Sequence, residues 1–142
     1  MADKTIRNIS ICVFRKNDSI LVFEDYDDVK EDYFYRPIGG GIEYGERSLD
    51  TLKREIYEEI RAEIGNIKLL DVIESVFTHN GRIGHEVVFV YDADFIDQSF
   101  YERTSFFGWK DDGSKIKLYW KRISEFENGN LRLVPEGLQK LL

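Results

Sequence analysis

Alternating apolar and polar positions predict strands in the first third of the chain. Residues 7–14 place three β-branched residues on one face, and the turn-rich RKND tetrapeptide separates them from a second apolar run at 19–25. A charged run at 25–32 is interpreted as a solvated loop. Residues 33–38 predict a short strand that Pro37 and the following glycines end. A hairpin followed by a short strand is therefore expected.

Helical spacing of apolar residues is clearest between Ser48 and about Ile64. The residues of this stripe are Leu49, Leu52, Ile56 and Ile60. Ser48 is expected to be the N-cap, because its hydroxyl oxygen can accept a hydrogen bond from a free N–H of the first turn. The stripe is expected to face the core, which leaves the acidic residues of the helix on another face.

The second half of the chain predicts two hairpins and two short helices. In order, these are strands at 67–79 and 85–95 around an NGRIG turn, a hairpin at 106–123 turning at Asp112-Gly113, a short helix opened by a capping box of Ser124 and Glu127, and a last short helix from Pro135. Strands, one strong helix, further strands and short helices predict a mixed α/β domain spanning residues 1–142.

Composition favours one globular domain. The chain has 142 residues, 42% of them hydrophobic, and its single cysteine, Cys12, is interpreted as a buried thiol. No apolar run approaches the roughly 20 residues that cross a bilayer, and residues 1–10 lack the apolar region of a secretory signal. A cytoplasmic protein with no membrane partner is expected.

Charge narrows the possible ligands. The chain carries 27 acidic and 20 basic residues, for a net charge of −7. Proteins that follow a nucleic-acid backbone usually present a basic stripe, so no nucleic-acid polymer is expected as a partner. Small nucleotides remain possible ligands, because a bound metal ion can join acidic side chains to phosphates.

The predicted helix carries a cluster of carboxylates behind a glycine-rich segment. Glu55, Glu58 and Glu59 lie at spacings that place them on one helix face, where like charges are mildly destabilising. Mg²⁺ prefers oxygen ligands and often bridges carboxylates to substrate phosphates, so the same repulsion would become affinity for an ion. The glycines at 39–41 allow the backbone to approach a bound ion or phosphate.

These residues resemble the Nudix box, the signature of the MutT-like Nudix hydrolase superfamily, written G-x5-E-x7-R-E-U-x-E-E-x-G-U with U a bulky aliphatic residue. The matching residues are Gly40, Glu46, Arg54, Glu55, Ile56, Glu58 and Glu59. Arg61 replaces the final glycine and Ala62 the last aliphatic residue. Either Arg61 adopts the left-handed conformation of that glycine at a cost of ~1 kcal/mol, or the helix continues to about Gly65-Asn66.

The resemblance implies a Nudix fold, in which a mixed β-sheet is sandwiched between helices as an α/β/α sandwich. It also implies an enzyme that cleaves phosphoric anhydride bonds of a small nucleoside diphosphate derivative with Mg²⁺, for which Mn²⁺ can substitute. Substrates could be a nucleoside triphosphate removed by a housecleaning pyrophosphatase, ADP-ribose or another nucleotide sugar, or a dinucleoside polyphosphate. A nucleotide-sensing module without catalysis is the alternative, and the complete set of helix glutamates favours the enzyme. The family also suggests a homodimer.

Residue roles follow from the same resemblance. Glu55, Glu58 and Glu59 are implied to be metal ligands, together with the backbone carbonyl of Gly40. Glu55 and Glu58 are also candidates for orienting or deprotonating the attacking water, and Arg54 for orienting those carboxylates. Glu46 is implied to pair with Arg54 and so to support the site.

A further metal ligand is expected from a downstream loop, and Glu102 is the first candidate, ahead of Glu86 and Asp94. Two residues are candidates for substrate contact. Arg36 could bind a phosphate or pair with the acidic loop, and Trp109 could stack on a nucleobase or be an ordinary hairpin residue. His79 and His85 flank the NGRIG turn and are interpreted as ordinary turn residues rather than general bases.

Overall fold

The computed structural model describes residues 4–142, whose strands form two sheets. The strands are β1 (Arg7–Val13), β2 (Arg15–Lys16), β3 (Ser19–Asp27), β4 (Asp32–Arg36), β5 (Gly39–Gly41), β6 (Ile64–His79), β7 (Arg82–Phe95), β8 (Ser105–Trp109) and β9 (Lys115–Arg122). The first sheet has the order β5-β1-β7-β6, with β1 parallel to β7. The second has the order β2-β3-β9-β8, and β4 pairs with β3.

Helices cover both sides of the sheets. They are α1 (Ser48–Ile60), α2 (Ile123–Glu127) and two 3₁₀ helices, Gln98–Tyr101 and Leu138–Leu141. Along β1, Cys12 points into the core layer that contains Leu52 and Ile56 of α1, whereas Ile11 points into the layer that contains Phe126 of α2. Period-two alternation therefore sends successive side chains to opposite layers, and the predicted α/β/α sandwich is confirmed.

The end of α1 resolves the choice left open by Arg61. The helix ends at Ile60, and Arg61 adopts the left-handed conformation with φ 55° and ψ 36°. Its backbone N–H donates to the carbonyl of Tyr57 at 2.9 Å, and its guanidinium lies 5.3 Å from the Tyr57 ring centroid. Arg61 thus takes the place of the usual glycine, and the predicted continuation to about Ile64 is wrong. Residues from Ile64 onward belong to β6 instead.

The start of α1 also differs from the prediction. Arg47 is the N-cap, with extended backbone, and Ser48 is the first helical residue. The Ser48 hydroxyl lies 2.6 Å from the hydroxyl of Tyr91 on β7, so it joins α1 to the first sheet rather than capping the helix. Leu49, predicted to face the core, is 37% exposed, whereas Leu52 and Ile56 are fully buried.

Several strands and helices begin or end at residues other than those predicted. The charged run at 25–32 is not a loop throughout, because β3 continues to Asp27 and β4 begins at Asp32. The NGRIG hairpin turns at Asn80-Gly81, and β7 begins at Arg82. The predicted capping box of Ser124 and Glu127 is wrong; the carboxylate of Glu125 accepts from the N–H of Arg122 instead. Pro135 precedes the last helix, which is a 3₁₀ turn.

Among residues 4–142, no helix is long and apolar enough to cross a membrane.

Candidate metal and phosphate site

The acidic face of α1 lies at the edge of the core. Burying the stripe of Leu52 and Ile56 rotates the neighbouring carboxylates partly inward, so Glu55 and Glu59 are buried and Glu58 remains 43% exposed at its side chain. Buried carboxylates are costly unless they are paired or bound to a cation. The sequence therefore creates a face that favours positive charge.

Strand β5 closes over this face through a glycine. Gly40 pairs with Ser10 on β1, and a Cβ atom at Gly40 would overlap the carboxyl group of Glu55. Only glycine leaves room for that carboxylate against the β5 backbone. The backbone N–H of the preceding Gly39 favours the charged form of the Glu59 carboxylate and so opposes the rise of its pKa.

Arg54 joins the loop before the helix to the carboxylates. Its Nε and Nη2 donate to the two oxygens of Glu46, both at 2.8 Å. Its Nη1 donates to Glu55 at 2.9 Å and to Glu58 at 3.3 Å. Such bidentate, charge-assisted contacts fix the orientation of both partners. The Arg54 side chain, itself anchored on Glu46, thereby holds the carboxylates of Glu55 and Glu58 in place.

Glu46 is held as an anion by this arrangement. The hydroxyl of Thr51 donates a further hydrogen bond to the Glu46 carboxylate, at 2.6 Å. The hydrogen bonds from Arg54, and then that from Thr51, lower the pKa of Glu46 to about 2. Its negative charge therefore persists at any pH at which the protein is expected to work.

Glu59 and Glu55 are perturbed in the opposite direction. Burial, followed by the negative charges of Glu55 and Asp111, raises the pKa of Glu59 to about 8. Burial also raises the pKa of Glu55, opposed by its hydrogen bond from Arg54. The Glu59 Oε1 atom is buried with no hydrogen-bond partner among the described residues. A cation beside these oxygens would supply the missing partner.

Asp111 completes the acidic group. Glu55, Glu58 and Asp111 each offer a carboxylate oxygen within 4.8 Å of the others. Asp111 lies in the turn between β8 and β9, and β8 packs closely on the end of α1. A Cβ atom at Gly108 would lie 2.9 Å from the Glu59 carbonyl oxygen. This close packing brings the hairpin turn to the helix.

The other candidate carboxylates lie elsewhere. Glu102 is exposed at the C-cap of the 3₁₀ helix Gln98–Tyr101 and is not in the acidic group. Glu86 is buried and lies 3.6 Å from Arg7, and Asp94 accepts a hydrogen bond from Asn66 at 3.0 Å. The structure thus places Asp111 where Glu102 was expected. The KDDG sequence indicates only a turn, and the signal in it for a metal ligand is the pair of acidic residues, Asp111 and Asp112, that precedes the hairpin glycine.

The two residues expected to contact the substrate lie in different parts of the molecule. Arg36 lines a pocket of about 400 Å³ between β3–β4, the β6–β7 hairpin and residues 132–136. Trp109 is 53% exposed on the face of β8 opposite Gly108, and it does not line this pocket. One residue of the pocket wall, Asp25, lies 3.8 Å from the ammonium of Lys110, the chain neighbour of Asp111.

Two hairpin turns hold one wall of the pocket together. Asp27, fully buried at the end of β3, accepts from the N–H groups of Lys30 at 2.9 Å and Asn80 at 3.1 Å. The Lys30 ammonium donates to the carbonyl of Thr78 at 2.7 Å, and His79 Nδ1 lies 3.5 Å from Asp27. These backbone hydrogen bonds lower the pKa of Asp27. We call this set of contacts the Asp27 latch.

The acidic group suits a hard divalent cation. Its donors are carboxylate oxygens, which Mg²⁺ and Mn²⁺ prefer. The unpartnered oxygen of Glu59 adds a further oxygen donor at the same face. The residues present therefore fit such an ion.

Fold and site together define an α/β/α protein with a group of clustered carboxylates that fits a divalent cation. A family model, NUDIX domain, matches residues 4–127, and the chain belongs to this family. The resemblance found in the sequence is confirmed. As a Nudix-type protein it is a hydrolase of pyrophosphate bonds. A comparison with curated proteins gave no match.

Solved structures share the fold at low identity. The MutT protein from Bacillus halodurans is 21% identical, with a TM-score of 0.62 over 96% of this chain and 79% of that one. A NUDIX hydrolase from Nitrosomonas europaea is 14% identical, with a TM-score of 0.66 over 96% and 86%. An ADP compounds hydrolase is 14% identical, with a TM-score of 0.58 over 87% and 63%. At these identities the likeness describes the fold.

Proposed function

We propose that the protein hydrolyses the pyrophosphate bond of a small nucleoside diphosphate derivative, using Mg²⁺ held by Glu55, Glu58, Glu59 and Asp111. The observation that carries the proposal is the convergence of Glu55, Glu58 and Asp111 into one group of carboxylates. Bound Mg²⁺ would neutralise charge on the phosphoryl oxygens and acidify a coordinated water. Asp111 replaces Glu102 in the proposed ligand set.

The chain's own residues position the reaction. Water attacks one phosphorus, the anhydride P–O bond breaks, and the departing phosphate keeps the electron pair. Glu58 is the most exposed of the helix carboxylates and is proposed to accept the proton from the attacking water. Arg54 keeps Glu58 oriented, since it donates to both Glu55 and Glu58. Most of the rate enhancement would come from this positioning and from electrostatic stabilisation.

The pocket is proposed to hold the part of the substrate beyond the phosphates. Its volume of about 400 Å³ lies within the range of small-molecule sites. Phe34 offers an aromatic wall, and Arg36, four residues before Gly40, can reach a phosphate at the pocket entrance. Trp109 has no proposed role in this pocket, because it lies on the other face of its strand.

Two groups of compounds are the main candidate substrates, and a hydrolysis screen can distinguish them. A nucleoside triphosphate is the substrate of the housecleaning reaction that the family resemblance implies, and ADP-ribose or another nucleotide sugar would agree with the structural likeness to an ADP compounds hydrolase. The box residues contact only phosphate and metal, so they do not select between these. A cytoplasmic location and a homodimer stay predictions.

The test is a hydrolysis screen of the purified protein with Mg²⁺ or with EDTA. The panel would contain canonical and 8-oxo nucleoside triphosphates, ADP-ribose, other nucleotide sugars and diadenosine polyphosphates. Reactions in H₂¹⁸O would show which phosphorus receives the water oxygen. We expect Mg²⁺-dependent turnover of at least one compound, and loss of that turnover in Glu58→Gln.

The outcomes separate the remaining hypotheses. Tight nucleotide binding without turnover would favour the sensing module. Absence of both turnover and Mg²⁺ binding, measured by calorimetry, would contradict the proposed metal site.

A further inference from the structure

One face of the β8–β9 hairpin has an unusual composition; it is exposed at its β8 side and half-buried toward Tyr119 and Lys121. Its residues are Phe107, Trp109, Lys115, Lys117, Tyr119 and Lys121, which we call the lysine–aromatic face. The register pairs Phe107 with Lys117 and Trp109 with Lys115 across the two strands. The alternate positions, such as Ile116 and Leu118, are buried in the core layer beneath α1. The lysine–aromatic face is therefore on the opposite side of the sheet from α1 and the acidic group.

Lysines and rings alternate along this face in one continuous chain of contacts. The Lys115 ammonium lies 3.9 Å from the Phe107 ring centroid and 5.7 Å from that of Trp109. Lys117 lies 5.9 Å from Phe107 and 5.2 Å from Tyr119. Lys121 continues the series at 5.1 Å from Tyr119. Phe107 and Trp109 nevertheless remain 54% and 53% exposed.

Positive charge is segregated here within an acidic protein. Strands β8 and β9 contain four basic residues and no acidic residue, whereas the whole chain has a net charge of −7. Among residues 4–142, none of the three face lysines is within ion-pair distance of a carboxylate. Glu24, on the same side of the neighbouring strand β3, accepts a hydrogen bond from the Tyr35 hydroxyl at 2.6 Å.

Protection of a sheet edge does not account for this arrangement. Lysines often guard edge strands against pairing with another chain. The edge strand of this sheet is β8, but the lysines are on β9, which is paired on both sides. The edge strand instead exposes Phe107 and Trp109.

We propose that the lysine–aromatic face binds single-stranded nucleic acid. Exposed rings provide platforms on which bases stack without regard to sequence, and interleaved lysines contact the backbone phosphates. From Lys115 to Lys121 the strand spans roughly 20 Å, at about 3.3 Å per residue, which accommodates a few nucleotides. The expectation that the protein binds no nucleic-acid polymer came from its net charge, which averages over this local segregation. The proposal is independent of the proposed hydrolysis.

The test is fluorescence anisotropy of a labelled 15-nucleotide oligouridine with the full chain, in EDTA so that metal-dependent hydrolysis does not interfere. We expect saturable binding at about 50 mM salt that weakens as salt increases. Replacing both rings, in Phe107→Ser/Trp109→Ser, should weaken binding about tenfold or more, because each stacked base contributes substantially. Lys117→Gln should weaken binding less and reduce its salt dependence.

Matched controls use exposed residues away from the face. Tyr44→Ser removes another exposed ring, and Lys53→Gln removes an exposed lysine on α1. Both should bind oligouridine as the wild type does, and circular dichroism would confirm that every variant is folded.

Two results would overturn the proposal. One is the absence of binding at low salt. The other is binding that the ring variant leaves unchanged, or that polyglutamate of the same charge reproduces equally, since the face would then recognise negative charge alone.

Discussion

The acidic face of α1 and the Asp27 latch are both built from a carboxylate, backbone N–H groups and a neighbouring hairpin, but they are assembled differently. Gly40, Arg54 and Glu59 lie within 20 residues of one another, so their spacing can be recognised in a single stretch of sequence. Asp27 and Asn80 are 53 residues apart and meet only when two hairpins fold.

The two regions also use their carboxylates for opposite purposes. Asp27 is buried but receives three backbone hydrogen bonds, so its charge is satisfied within the protein. Glu59 is buried with one oxygen unpartnered, so its charge is left for a ligand. A satisfied buried carboxylate holds structure, whereas an unsatisfied one indicates a binding site.

The largest expected effect comes from the glycine strand over the acidic face. Gly40→Ala would place a methyl group against the Glu55 carboxyl group and displace it. Misplacing a positioning group by about 1 Å can reduce the rate about 100-fold, so kcat should fall by about that factor. Gly41→Ala is the matched control, because its Cβ atom would lie at an ordinary contact distance of 3.8 Å from Nη2 of Arg7. Similar kcat values for the two variants would contradict the role given to Gly40.

The next prediction tests whether Asp111 belongs to the acidic face. Asp111→Asn removes one negative oxygen from the group with Glu55 and Glu58, so Mg²⁺ affinity and kcat/KM should fall about tenfold or more. Glu102→Gln should leave both within about twofold, because Glu102 lies outside the group. Calorimetry and steady-state kinetics would measure the two quantities. The reverse order of effects would restore Glu102 as the ligand.

Sequence patterns predicted the local region better than the distant one for a physical reason. Helix periodicity fixes the relative positions of Glu55, Glu58 and Glu59, so a single stretch defines that face. Asp111 could not be placed, because its approach depends on Gly108 packing against the end of α1. The Asp27 latch was missed because the charged run at 25–32 resembles an ordinary solvated loop.

The conformations of single residues could not be predicted from the sequence pattern either. Serine is a residue type that favours the N-cap position, yet the hydroxyl of Ser48 is hydrogen-bonded with the hydroxyl of Tyr91 on a distant strand. Arg61 has no intrinsic preference for the left-handed conformation, but the N–H contact to Tyr57 and the stacking on its ring accompany that conformation. Tertiary contacts decide both cases, so neighbouring residues alone could not.

A smaller effect is expected at the latch. Asp27→Asn weakens the acceptor that holds Lys30 and Asn80, so the pocket wall should loosen. If the pocket holds the substrate, KM should rise several-fold while kcat changes little, because the acidic face is untouched. Asp28→Asn is the control, since its side chain is exposed and only its backbone N–H bonds to Asn80. A fall in kcat at constant KM would show that the latch acts on the chemical step instead.

The last prediction concerns stability rather than activity, as a pair of opposite pH dependences in metal-free protein. Glu59 keeps its proton in the folded state up to about pH 8, whereas the unfolded chain loses it near 4.5, so the free energy of unfolding should decrease between these values as pH rises. The pKa of Asp27 is below its ordinary 3.8, so its contribution should be present above that pH and be lost as pH falls further.

Urea unfolding in EDTA from pH 3 to 8 would measure both slopes. Glu59→Gln should reduce the neutral slope, to which the raised pKa of Glu55 also contributes, and leave the acid one. Asp27→Asn should reduce the acid slope, to which the lowered pKa of Glu46 also contributes, and leave the neutral one. Mg²⁺ should also flatten the neutral slope, because an ion at the acidic face stabilises the deprotonated Glu59. If Glu59→Gln flattened the acid slope as well, the two regions would not be independent. Independent slopes would instead show that one carboxylate is reserved for a cation while the other already has its partners in the protein.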